Sequence, residues 1–143
     1  ILYLSRGINR SKTKYYQLLQ AVRDTNAWED WVLYLLNAIT ETSNITLKLI
    51  DEMSILMQKY KNHLRQNAPK LYSQDLLNNL FCHPYTRIEY VQNDLGVSRQ
   101  TASKYLDHLV KIELLKKYQF GRNQYYVNVQ LFELLEHVSG EAV

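Results

Sequence analysis

Apolar side chains recur at steps of three and four along most of this chain, the spacing of helices that bury one face. The longest such stretch runs from Trp28 to about Gln66. Trp28, Trp31, Val32, Leu35, Leu36, Ile39, Thr46, Leu49, Ile50, Met53, Leu56, Met57, Tyr60 and Leu64 keep the stripe, and no Gly or Pro interrupts it. The pattern predicts one long helix of roughly 60 Å at about 1.5 Å per residue. A bend is expected near Thr42-Ser43-Asn44, three poor helix formers in a row. So long a stripe needs a second surface to cover it. We expect either another part of the chain or a homodimer formed through this helix. Upstream, Ile1, Leu2 and Leu4 read as the end of an apolar helix, stopped by Gly7, Asn9 and Ser11. Ser11 then reads as the N-cap of a helix over 12–24, and Thr25-Asn26 as a short break.

The break at Asn67-Ala68-Pro69 ends the long helix, because proline cannot continue it and restricts the residue before it. It sets the expected division: a helical segment over 1–68, a second domain over 70–137 and a tail over 138–143. In the second domain Ser73 caps a first short helix with Leu76, Leu77, Leu80 and Phe81 apolar. His83-Pro84-Tyr85 reads as a turn. Thr86-Arg87-Ile88-Glu89 reads as a capping box opening a helix striped by Ile88, Val91 and Leu95. Gly96 supplies a sharp turn, Val97 plugs the corner, and Ser98 caps a third helix with Ala102, Tyr105, Leu106, Leu109 and Val110 on its apolar face. Strand-like runs over 115–120 and 124–129 flank Gly121-Arg122-Asn123, and an amphipathic helix over 131–137 closes the chain. Helix, helix, glycine turn, helix, hairpin is the order of a winged helix-turn-helix. The expected fold is therefore mainly α: a helical segment with one long helix, then a winged helix-turn-helix domain with a β-hairpin wing.

Composition narrows this further. Of 143 residues, 46% are hydrophobic and 22% charged, and only four Gly and two Pro occur, too few for a turn-rich sandwich or barrel. The longest strictly apolar run, Trp31 to Leu36, is far short of the roughly 18 residues a spanning helix needs, so no membrane is expected. Cys82, the single cysteine, excludes an internal disulfide, fits a reducing cytoplasmic compartment and reads as a small buried residue. The chain opens on Ile1 rather than Met, which predicts a piece of a longer protein. His63, His83, His108 and His137 are scattered without metal-ligand spacing, so no metal and no cofactor are expected.

Charge adds the functional clue. Residues 69–143 carry eight Lys or Arg and eight Asp or Glu, yet residues 96–124 hold six basic residues against Asp107 and Glu113. A braced third helix presents Arg99, Gln100, Ser103, Lys104 and Asp107 opposite its apolar face. Arginine can bond guanine O6 and N7, and glutamine adenine N6 and N7. Ser98, Thr101 and Ser103 suit phosphate oxygens, and Lys116, Lys117 and Arg122 give the wing backbone contacts. The candidate interface for double-stranded DNA is thus Ser98, Arg99, Gln100, Thr101, Ser103, Lys104, Lys116, Lys117 and Arg122. Asp107 would repel phosphate there. The alternative is a protein-interaction module that uses the same winged helix on a partner protein or a second copy.

These residues also resemble a known family. Ile1-Leu2-Tyr3-Leu4-Ser5-Arg6, then Tyr15-Tyr16, Leu18-Leu19, Val22-Arg23, Trp28 and Trp31, resemble the helices that follow the signature motif of Fic-domain proteins. Pro84-Tyr85-Thr86-Arg87 and the run Gly96 to Leu106 resemble the winged helix at the C-terminus of many bacterial members. The resemblance implies that the complete protein transfers AMP from ATP to a hydroxyl of a target protein. It also implies a His-Pro-Phe-x-x-Gly-Asn-Gly-Arg signature, and this sequence lacks it: Thr86-Arg87-Ile88-Glu89 follows His83-Pro84-Tyr85. No catalytic residue is therefore expected in this chain. The family usually carries Gly where Glu113 stands, and a left-handed residue there would cost Glu about 1 kcal/mol.

Overall fold

The computed structural model describes residues 4–140; Ile1, Leu2, Tyr3 and positions 141–143 of the expected tail lie outside them. The chain forms α1 (Leu4–Arg10), α2 (Lys12–Thr25), α3 (Trp28–Asn67), α4 (Gln74–Cys82), β1 (Tyr85–Thr86), α5 (Ile88–Leu95), α6 (Arg99–Lys111), β2 (Lys116–Phe120), β3 (Asn123–Val127) and α7 (Val129–Gly140). The described residues divide into two units, one of residues up to Asp51 together with residues from Val138 on, the other Glu52–His137.

In the first unit the expected stop at Gly7 is a helical residue of α1. Gly7 serves close approach instead. A methyl group there would lie 3.2 Å from Thr42 Oγ1 and 3.5 Å from Ala38 Cβ. Ser11 makes no side-chain cap bond to α2. Its hydroxyl is 2.8 Å from the Tyr34 hydroxyl on α3, a partner that local pattern cannot supply. Tyr15 packs its ring 4.9 Å from Trp31, binding α2 to α3. The break at Asn26 is a left-handed residue with φ 58°, which asparagine tolerates. The 40-residue α3 is continuous through Thr42-Ser43-Asn44. Thr42 and Thr46 return their hydroxyl protons to the carbonyls of Ala38 and Thr42, so both hydroxyls are paired within the helix.

The second unit is a winged helix-turn-helix whose core draws on the end of the long helix. Tyr60 and Leu64 of α3 and Ala68 join Leu76, Leu77, Leu80, Val91, Ala102, Leu106, Leu109 and Tyr126 in one buried cluster. The proline break thus ends α3, while the unit itself starts upstream at Glu52. Asn128 is the polar hinge of this core. Its Oδ1 accepts from the Tyr60 hydroxyl at 2.7 Å and from the Leu131 amide at 3.1 Å, and its Nδ2 donates to the Leu80 carbonyl at 3.2 Å. Burial pushes the Tyr60 phenol up to about 12 from 10.0. Above pH 10 the unfolded chain releases this proton while the folded chain keeps it, so stability falls as pH rises from about 10 to 12. At pH 11 the loss is about 1 kcal/mol. Urea titrations at pH 9 and 11 are expected to show it, and Tyr60→Phe to abolish this part of the slope.

The sheet is antiparallel, in the order β1-β3-β2, with Tyr85 opposite Val127 and Tyr118 opposite Tyr125. β1 was not expected from sequence, and it displaces the capping box. Thr86 lies in that strand, buried, and its hydroxyl donates to Asn79 Oδ1 at 2.8 Å instead of capping α5. Arg87 takes the N-cap position, with no side-chain cap bond. Ser73 and Ser98 do cap α4 and α6, and Gly96 closes α5 at φ 63°. Cys82 is exposed, not buried, because it falls off the stripe of Leu76, Leu77 and Leu80.

After α6 the chain leaves through Glu113 at φ 60°. The Leu114 amide reaches back to the Leu109 carbonyl at 3.0 Å and the Glu113 amide to that of Val110 at 3.1 Å, the paired bonds of a Schellman end. The Glu113 side chain is exposed. Glu113→Gly should relieve the left-handed strain and raise stability by about 0.5 kcal/mol, part of the gain being offset by the freer unfolded chain. The urea midpoint should move up at unchanged slope.

Candidate functional site

Serine at position 98 sets the geometry of the candidate site. Its Oγ accepts from the Thr101 amide at 3.2 Å and lies 2.9 Å from the Thr101 hydroxyl, which fixes the start of α6. Thr101 is half-buried in this role. Ala102, Leu106 and Leu109 seat the opposite side of α6 in the core. The outward side then follows from helical spacing: Arg99, Gln100 and Lys104 are all exposed. None of the three has a side-chain partner among the described residues.

Ser103 and Asp107 lie on the same side and are not free. The Ser103 hydroxyl is 3.5 Å from Asp107 Oδ2. Asp107 Oδ1 accepts from Lys117 Nζ at 2.9 Å and from the Tyr126 hydroxyl at 3.3 Å. The Lys117 hydrogen bond holds the Asp107 carboxyl below the usual carboxylate range and raises the Lys117 ammonium in turn. The Asp107 carboxylate on this side of α6 is thus neutralised from the wing by Lys117.

Strand alternation separates the two wing lysines. Lys117 faces α6, whereas Lys116 falls on the other side of β2 with Tyr118 and Phe120. That outer side of the sheet is aromatic. Tyr85, Tyr118 and Phe120 are exposed, Phe120 by 68% of its surface. Tyr125 is half-buried between Tyr85 and Phe120, edge-on to both, and Tyr126, its neighbour in β3, is fully buried.

Arg122 in the wing turn comes to line a cleft with Arg99 of α6 and with Arg87 at the head of α5. Sequence reasoning missed Arg87. Its position after Thr86 reads as the interior of a capping box, and only β1 turns it toward the wing. Arg87 Nη2 donates to Asn123 Oδ1 at 3.2 Å, and its guanidinium lies over the rings of Tyr90 and Tyr125. Among the described residues no group of three or more His, Cys, Asp or Glu is arranged to hold a metal ion, and no helix is long and apolar enough to cross a membrane.

With this geometry in place, comparison with known families places the second unit. Residues 56–131 fit the family model described as the C-terminal domain of SoFic-like protein adenylyltransferase. The matched stretch begins in the last turns of α3, includes the whole sheet and the cleft, and covers more than half of the chain.

Proposed function

The chain belongs to the SoFic-like protein adenylyltransferase C-terminal domain family, and from that premise we propose that it is the DNA-binding, non-catalytic portion of a cytoplasmic enzyme that transfers AMP to protein hydroxyls. The winged helix takes double-stranded DNA, with α6 in the major groove and the wing on the backbone. One observation carries this reading. Arg99, Gln100 and Lys104 stand exposed on one side of α6 with no side-chain partner among the described residues, and the Asp107 carboxylate beside them is already neutralised by Lys117. Gln100 supplies base-edge donors, and Arg99, Lys104 and Arg122 neutralise phosphates. Ser98, Thr101 and Ser103 contribute as the frame of that face, being held by capping and by Asp107. Lys116 lies off it and is assigned to flanking backbone.

A second reading is favoured by different residues. The aromatic outer side of the sheet and the exposed Val32, Leu33, Leu36 and Ile50 of α3 suit a protein partner or a homodimer. In that case the winged helix positions or restrains the enzyme.

Titration with a random-sequence duplex at two salt concentrations separates the two. DNA binding should weaken steeply with salt, by a power set by the number of phosphates neutralised. Arg99→Ala and Lys104→Ala should each weaken it by about threefold to tenfold and reduce the salt slope by about one. Absent or salt-insensitive binding, together with self-association that survives both substitutions, would establish the interaction module instead.

A further inference from the structure

We infer that the cleft between the wing turn and the head of α6 seats a phosphate group of a nucleic-acid backbone. The source of that phosphate rests on the DNA-binding reading; the seat rests on the cleft's own chemistry. The cleft has a volume of about 220 Å³, and its charged lining is Arg87, Arg99 and Arg122 against Glu89 alone. The three arginines come from three separate elements: the N-cap of α5, the first turn of α6 and the turn between β2 and β3. No local sequence preference brings them together, so the fold itself concentrates the positive charge.

Their states differ in a way that fits an anion. Arg87 is held in place. Asn123 accepts from it at 3.2 Å, Glu89 lies 3.6 Å away, and Tyr90 and Tyr125 present ring faces at 5.8 and 5.6 Å. Glu89 is thereby engaged with Arg87. Arg99 and Arg122 have no partner among the described residues. Two unpaired guanidinium groups beside a fixed third repel one another, and a phosphate relieves that repulsion while taking their forked donors two at a time. Asn123 spends its Oδ1 on Arg87, so its amide donors remain for a phosphate oxygen. Were the cleft only a packing gap, Arg87 alone would suffice as a strut between α5 and the wing.

The test uses the 143-residue chain with isotope-labelled arginine side chains, observed by NMR. Inorganic pyrophosphate is titrated first, then a short random-sequence duplex. Both are expected to shift the Nε–Hε resonances of Arg87, Arg99 and Arg122 saturably. Arg122→Ala, in an exposed turn outside the core, should abolish the pyrophosphate response at Arg99. It should also lower duplex affinity about threefold to tenfold with a salt slope smaller by about one. If the duplex binds while these resonances stay fixed and the slope is unchanged, the seat is overturned and the DNA-binding reading stands. If pyrophosphate is seated and no duplex binds, the nucleic-acid backbone is overturned as the source and the cleft takes a free phosphate compound. Silence toward both probes overturns the seat and the reading together.

Discussion

Asn128→Leu is expected to destabilise the second unit by about 3–4 kcal/mol, although the replacement keeps the branching and the number of heavy atoms of the side chain. The side chain is 1% exposed and joins three elements through three hydrogen bonds. Leucine would leave the Leu80 carbonyl and the Leu131 amide without those partners in a dry core, and each buried orphan costs about 1–3 kcal/mol. The Tyr60 hydroxyl would fall back on the Leu114 carbonyl 3.0 Å away, which limits the damage at that end. Urea unfolding monitored by circular dichroism gives the value. Because Tyr60 and Asn128 share a bond, the double variant with Tyr60→Phe should cost less than the two single changes together, by about 0.5 kcal/mol or more. A loss below about 1 kcal/mol for Asn128→Leu would show that the hinge carries little of the stability.

Leu106→Ala should cost about 3 kcal/mol, from lost apolar burial plus the cavity left in a close-packed site. Leu106 is fully buried and lies centrally on the core-facing side of α6, between Ala102 and Leu109. Its effect on DNA should be of another kind than that of Lys104→Ala. The leucine change lowers the folded population and leaves the salt slope alone. The lysine change leaves stability within about 0.5 kcal/mol and alters the slope. Thermal unfolding and duplex titration on the same two variants would reveal the division, and a stability loss of similar size from both would refute it.

The features legible in the sequence are those that local chemistry decides. Stripes at helical spacing placed α2 through α6, and Ser73, Ser98 and Gly96 marked ends that backbone needs alone explain. The outward side of α6 came with them, since helical spacing gives the exposed side as soon as the buried one is known. The features that escaped depend on partners distant in the chain. Gly7 looks like a stop until Thr42 and Ala38 are seen beside it. Thr86 looks like a cap until β3 pairs with it and Asn79 takes its hydroxyl. Lys117 looks free until Asp107, ten residues earlier, is found to pair with it. Arg87 carried no signal of its own, because only the pairing of β1 with β3 brings it beside Asn123 and Arg122.

Tyr60 and Leu64 lie within α3, upstream of the proline, yet they fill the centre of the winged helix downstream of it. Cutting the gene at that proline would therefore yield a fragment with a hole where two of its fully buried anchors belong. A graft onto another protein, or a recombination event that moved this module, would succeed only by carrying roughly four further turns of helix from Glu52 onward. The portable piece is thus a helix handle fused to a winged-helix head, and any host that received it would be obliged to continue that handle as its own last helix.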